Sequence, residues 1–268
     1  MIGPTMAWPR LGLALLRSRP TVWLVGLLSL GVIWSSVPPG LPPGTTAVGA
    51  WWSTGLAASG TFVVQLVVFH IAVTADLYLA ARRQGVIVYA NLLLGTGRWT
   101  VTVVAFALVA AVSHVLLWCV ATAVRCWSHA GSAGLDPAAA EATRFPGDEN
   151  GALSQLVILA SAVLTLALVH LVVAALVHVV ADGVTIAVVC GVWCLAELPL
   201  SVADRGQVLA RFVDPTTILS PTTVLTRLQD GSTWALATAG GVVLCVTALL
   251  ILVLVGSRRF RAIVTAAT

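Results

Sequence analysis

The chain has 268 residues, 59% of them hydrophobic and only 9% charged, with a mean hydropathy of +1.02. Soluble domains carry about 25% charged residues, so this composition cannot cover a water-facing globule, and the natural solvent for the chain is a bilayer. All 14 basic residues are Arg; a chain without Lys holds neither a P-loop nor a Schiff-base site.

Residues 1–20 form a lead in which Arg10 and Arg17 share one helical face between Pro9 and Pro20, a pattern that predicts an amphipathic helix on the membrane surface. The first span is expected at about 21–37, retained rather than cleaved, because Ser35-Ser36-Val37 is a poor small-x-small site. An uncharged Pro/Gly-rich turn (38–50) leads to a second, long span at about 51–81. After Arg82-Arg83-Gln84-Gly85, the residues Val86, Tyr89, Ala90 and Leu93 recur at helical spacing, which predicts a short amphipathic helix over 86–94. The third span follows at about 99–124, then a loop (125–152) that carries four acids. The fourth span (153–181) and the fifth (184–203) flank a tight Asp182-Gly183 turn. A semi-polar stretch broken at Asp214-Pro215 and Ser220-Pro221 precedes the sixth span at 234–256. The expected fold is thus all-α: one polytopic transmembrane domain of six helices, with an N-terminal amphipathic helix and one short helix between the second and third spans.

Charge sets the expected orientation. With both termini inside, Arg10, Arg17, Arg19, Arg82, Arg83, Arg98, Arg258, Arg259 and Arg261 face the cytoplasm, and only Arg125, Arg144, Arg205, Arg211 and Arg227 face outward. The inverse arrangement violates the positive-inside rule. The same clustering at the ends of apolar runs, in place of one basic stripe, argues against a nucleic-acid partner for the net charge of +4.

The stretch Arg82-Arg83, Gly85, Leu92-Leu93-Leu94, Gly95 and Arg98 resembles the first cytoplasmic loop of the permease subunits of ABC-2-type exporters. In that family an acid-Arg-x-x-Gly-Thr run is followed by a Leu-rich coupling helix. The amphipathic lead, the Pro-broken Phe212–Thr217 segment and the Arg258-Arg259-Phe260-Arg261 end match the layout of the same family. Val86 stands where the family has Thr, Ala81 where it often has an acid, and Asp214 where it has Asn. The resemblance implies that Arg82, Arg83, Gly85, Tyr89, Leu93, Gly95 and Arg98 couple to a separate ABC ATPase subunit. That subunit would hold the ATP and Mg, so this chain would be neither an enzyme nor a cofactor carrier. It also implies a second permease copy or paralogue, a plasma membrane, and a hydrophobic or amphipathic cargo such as a peptide antibiotic, drug, lipid or glycan intermediate. The all-Arg usage hints at a high-GC bacterium.

Ionisable side chains inside spans are costly and mark functional sites. His70, His114 and His170 fall near the middle of three spans, and Glu197 lies two residues before the helix-breaking Pro199; all four are candidates for a transport path. The three histidines also fit a different class, a haem- or metal-binding redox protein, and a non-transporting assembly factor is a third reading. His178 and Asp182, four apart, suggest a local pair at the turn, and Cys190 and Cys194, also four apart, read as buried packing. No Ser-His-Asp, HExxH or paired-carboxylate pattern appears.

Overall fold

The computed structural model describes residues 60–129, 152–180, 182–195 and 241–258, together with scattered positions between 20 and 31. The helices α1 (Gly60–Arg83), α2 (Val86–His129), α3 (Ala152–Val179), α4 (Gly183–Leu195) and α5 (Gly241–Arg258) run through them, and the described positions between 20 and 31 are helical as well. Among the described residues every regular element is helical. The N-terminal lead, most of the first span, the loop after α2, the Asp214-Pro215 segment, Glu197 and the terminal Arg259 and Arg261 lie outside the described residues.

The apolar character of α2 extends round its whole surface. Val103, Ala107, Ala111, Val115 and Trp118 are buried at near-i+4 spacing, while Val101, Val109, Leu116 and Val120 on the opposite side are exposed. A helix that is apolar on both its packed and its open face suits a hydrocarbon solvent. Lipid supplies no hydrophobic drive between such helices, so close packing of small residues must hold them. Ala107 and Ala111 on α2 and Ala162, Ala167, Ala174 and Ala175 on α3 supply that fit. α3 is the central element and packs against both α1 and α2; from Leu166 to His178 almost every side chain is buried. The stretches Val86–Ala121, Ala162–Val179 and Gly241–Arg258 are each long and apolar enough to cross a membrane. The chain is a multi-pass helical membrane protein.

α1 and α2 meet at a two-residue turn. Gly85 has φ +74, so it ends α1 in the left-handed conformation that glycine adopts without a Cβ penalty. Its carbonyl then accepts the first hydrogen bond of α2, from Tyr89 N at 3.0 Å. A straight helix of 44 residues would reach about 66 Å, twice a hydrocarbon core of about 30 Å. The chain breaks it at Gly95, whose φ 74 and ψ 156 are not helical. The result is a short arm over 86–94 and a long helix that resumes at Thr96. Sequence spacing places that restart at Trp99; the structure moves it earlier. Behind the break the hydroxyls of Thr100 and Thr102 fold back onto the carbonyls of Thr96 and Arg98, both at 2.9 Å, and tie up backbone acceptors in the first turn. The long helix also runs beyond the expected end of the third span, to His129.

Three connections share one end of the bundle. Arg82 reaches from α1 to α3 to donate to the Val177 carbonyl, one of the four C-terminal carbonyls of α3 that have no partner within the helix. Asp182, in the turn before α4, lies within electrostatic reach of Arg83. The last turn of α5 presses Gly256 onto Asn91 and Thr96. Arg82, Arg83, Arg98 and Arg258 therefore gather at this end.

Candidate functional site

Two features stand out, one at the arginine end and one inside the bundle. At the arginine end, the short arm shows two distinct faces. Ile87, Ala90 and Asn91 are buried, whereas Tyr89 (64% exposed), Leu92 and Leu93 (63% exposed) point away from the bundle. Sequence spacing groups Ala90 with Tyr89 and Leu93, and the structure corrects this. The buried side follows 87, 90 and 91, and Gly256 of α5 packs against Asn91 on that side. Asn91 donates Nδ2 to the Ile87 carbonyl at 2.9 Å within that contact.

Of the residues expected to couple to a partner, Tyr89 and Leu93 share the outward face, and Arg83 and Arg98 are exposed beside it. Gly85 and Gly95 are the two hinges that set the arm off. Arg82 departs from the expectation: it is half-buried, and its guanidinium is turned onto α3. A cation that satisfies the C-terminal carbonyls of a neighbouring helix is a structural cap, and it leaves Arg83 and Arg98 as the charges presented outward.

Inside the bundle, His70 (α1), His114 (α2) and His170 (α3) converge. The Nδ1 atoms of His70 and His114 stand 3.1 Å apart with the rings stacked at 5.3 Å, and the His70 and His170 rings are 5.5 Å apart. His170 bonds Thr74 Oγ1 through Nδ1 at 3.2 Å and the Tyr78 hydroxyl through Nε2 at 3.3 Å. Phe106 of α2 meets its ring edge-on. Further toward the arginine end, Trp99 donates Nε1–H to His178 Nε2 at 3.2 Å, and His178 Nδ1–H donates to the Ala174 carbonyl at 2.7 Å. Tyr78 lies between the two groups, 6.2 Å from the His178 ring. The expected His178–Asp182 pair gives way to these partners, and the Asp182 carboxylate instead caps α4 through Thr185 N and Oγ1, at 2.8 and 2.7 Å. Those bonds hold the Asp182 carboxyl below its ordinary range, the Thr185 hydroxyl contributing most.

A cavity of about 290 Å³ opens beside the three histidines, lined also by Gly26, Phe69, Thr74 and Ser113. Its walls are mostly apolar, with the imidazoles and the hydroxyls of Thr74 and Ser113 as the polar groups; among the described lining residues there is no carboxylate. His70 and His114 touch directly through their Nδ1 atoms. Among the described residues no group of three His, Cys, Asp or Glu is arranged to hold a metal ion. Cys190 is a buried free thiol.

Thr74, Tyr78 and Trp99 are site residues that sequence reasoning misses. A signal exists for the first two: His70, Thr74 and Tyr78 repeat at i, i+4 and i+8 on α1, one polar ridge along an otherwise apolar face. Searched against protein-family models, curated proteins and solved structures, the chain matches none.

Proposed function

We propose that this chain is the membrane-spanning permease subunit of an ATP-driven exporter of the ABC-2 type. One observation carries the reading. A short helix stands at the arginine-rich end of the bundle, set off by Gly85 and Gly95, with Tyr89, Leu92 and Leu93 facing outward. An exposed apolar face flanked by Arg83 and Arg98 suits a docking surface for a protein that delivers motion, and α5 backs the arm through Gly256, so the arm transmits a push into the bundle as a rigid body.

In this reading six spans cross the plasma membrane of a bacterium with both termini inside, the arginine end faces the cytoplasm, and two permease chains work with two ATPase subunits. The chain has no Lys, so ATP and Mg bind the partner ATPase. The cargo is hydrophobic or amphipathic and passes the cavity beside His70, His114 and His170.

The deciding experiment is gentle affinity purification from native membranes, read by mass spectrometry and visible absorption. The expected result is a stoichiometric P-loop ATPase in a colourless eluate. A Soret or metal band with no ATPase overturns the reading in favour of a redox protein. A stable partner that is not an ATPase overturns it in favour of an assembly factor. Leu93→Asp adds a focused check: the variant inserts and folds, yet loses the ATPase.

A further inference from the structure

The contact between His70 and His114 restricts its own protonation states. Two neutral imidazoles carry two protons on four ring nitrogens. An Nδ1···Nδ1 separation of 3.1 Å is a hydrogen bond only if one residue donates from Nδ1 and the other accepts there. The acceptor then keeps its own proton on Nε2, and the donor's Nε2 is left with a lone pair. This arrangement has room for one more proton. Added to the donor's Nε2, it produces a cation spread over two rings and leaves the N–H···N bond unbroken. A second added proton would set N–H against N–H and split the pair.

The surroundings leave room for one added proton at most. His170, from α3, lies 5.5 Å from His70 and would repel a second charge. Its two nitrogens are bonded to the hydroxyls of Thr74 and Tyr78, which fix its ring beside the pair. From α1 the pair is faced by Thr74, from α2 by Ser113 and Phe106, and from the 20–31 stretch by Gly26, the described residue there that lines the cavity. Asp76 lies nearly two turns further along α1 and is not among the lining residues. Among the described residues, therefore, no carboxylate is placed to neutralise the site. His70 Nε2 is buried with no hydrogen-bond partner among the described residues, the Leu166 carbonyl standing close but outside normal bonding geometry. The cavity, at about 290 Å³, is several times the roughly 30 Å³ share of one liquid water and borders both imidazoles along a largely apolar wall.

We infer that His70 and His114 form a proton-binding site, in exchange with the cavity, that holds a single proton between α1 and α2. The proton arrives from water in the cavity and leaves the same way; no other bond forms or breaks. Because the two ligands sit on different helices, uptake strengthens the α1–α2 contact and places a positive charge on the cavity wall. The inference rests on the pair's geometry alone and stands whether or not the chain is an exporter subunit.

Nitrogen-15 NMR of the full chain, histidine-labelled and held in lipid nanodiscs, tests it between about pH 8 and about pH 5. The expected result is one imidazolium equivalent shared by the His70 and His114 signals, which titrate together and show a through-hydrogen-bond coupling between their Nδ1 atoms, while His170 stays neutral. His114→Gln abolishes the shared titration. If both rings stay neutral down to about pH 5, or if His70 titrates unchanged in the His114→Gln chain, the site does not exist. Should that variant fail to fold, the Nδ1–Nδ1 coupling in the unaltered chain decides the matter, since its absence equally overturns the pair.

Discussion

A β-carbon placed on Gly256 would stand 2.7 Å from Thr96 Cγ2 and 3.2 Å from Asn91 Oδ1. Real carbons do not approach so closely, so α5 meets the α2 break at a spot where only glycine fits. Gly256→Ala should cost about 1–3 kcal/mol, the usual penalty for overpacking. The double variant Gly256→Ala/Thr96→Ser removes the Cγ2 atom and should recover much of that loss. Thermal unfolding of the detergent-solubilised chain measures both, and strictly additive effects would mean the two residues do not touch.

Gly95 makes a second prediction about the same arm. Its φ 74 and ψ 156 fall in a region essentially closed to residues with a β-carbon, at a cost of about 1–3 kcal/mol. Gly95→Ala should straighten or destabilise the break. Gly97→Ala is the control: Gly97 has helical geometry and open space around it, so alanine there should be neutral or gain about 0.5–1 kcal/mol. Spin labels at the exposed positions 92 and 101, in a background without native cysteines, report the inter-arm distance. An unchanged distance in Gly95→Ala would show that the break is set elsewhere.

These two glycines also show what the sequence discloses and what it withholds. The short helix between Gly85 and Gly95 is legible because glycines bracket an apolar repeat. Which side of it turns inward is not, because that depends on tertiary packing, such as the approach of Gly256 of α5 to Asn91, that exists only once the chain folds back. Arg82 and Arg83 look equivalent as adjacent charges at a helix end. Only packing against α3 reveals that Arg82 caps Val177 while Arg83 stays outside. The three mid-span histidines are evident as a set, since charge-capable residues are rare in apolar runs. Their pairing order depends on helix rotation, which a helix apolar on every side does not encode: the moment that would fix it is nearly absent in α2 and α3.

Trp99 and His178 provide a third test. His178 donates from Nδ1 to the Ala174 carbonyl, which leaves Nε2 as acceptor for the Trp99 indole. Interhelical bonds of this kind in membrane proteins are worth about 0.6 kcal/mol on average and up to about 1.7. His178→Leu should lose about that much stability and shift Trp99 fluorescence, and His178→Gln, which keeps a polar side chain, should lose less. Equal losses in the two variants would assign the effect to packing alone.

The final prediction concerns pH and the turn between α3 and α4. Asp182 is the N-cap of α4: its carboxylate accepts from Thr185 N and Oγ1, the position where an acid satisfies orphan amides and meets the positive end of the helix dipole. Its folded pKa is lowered, chiefly by the Thr185 side chain and then by the backbone amides of Thr185 and Val184. A depressed carboxyl pKa stabilises the fold fully above the unfolded value, ordinarily about 3.9, and that contribution disappears as pH falls through the lower folded value. Hydrogen exchange at the amides of Val184 and Thr185 should therefore be flat across neutral pH, once corrected for intrinsic rates, and protection should fall only in strong acid. Asp182→Ala should lose that protection already at neutral pH. Thr185→Val, which keeps the backbone amide but removes the hydroxyl, should raise the Asp182 pKa, so its protection fails at a higher pH than in the unaltered chain. If Thr185→Val leaves the acid midpoint where it was, the hydroxyl is not the dominant partner of the cap.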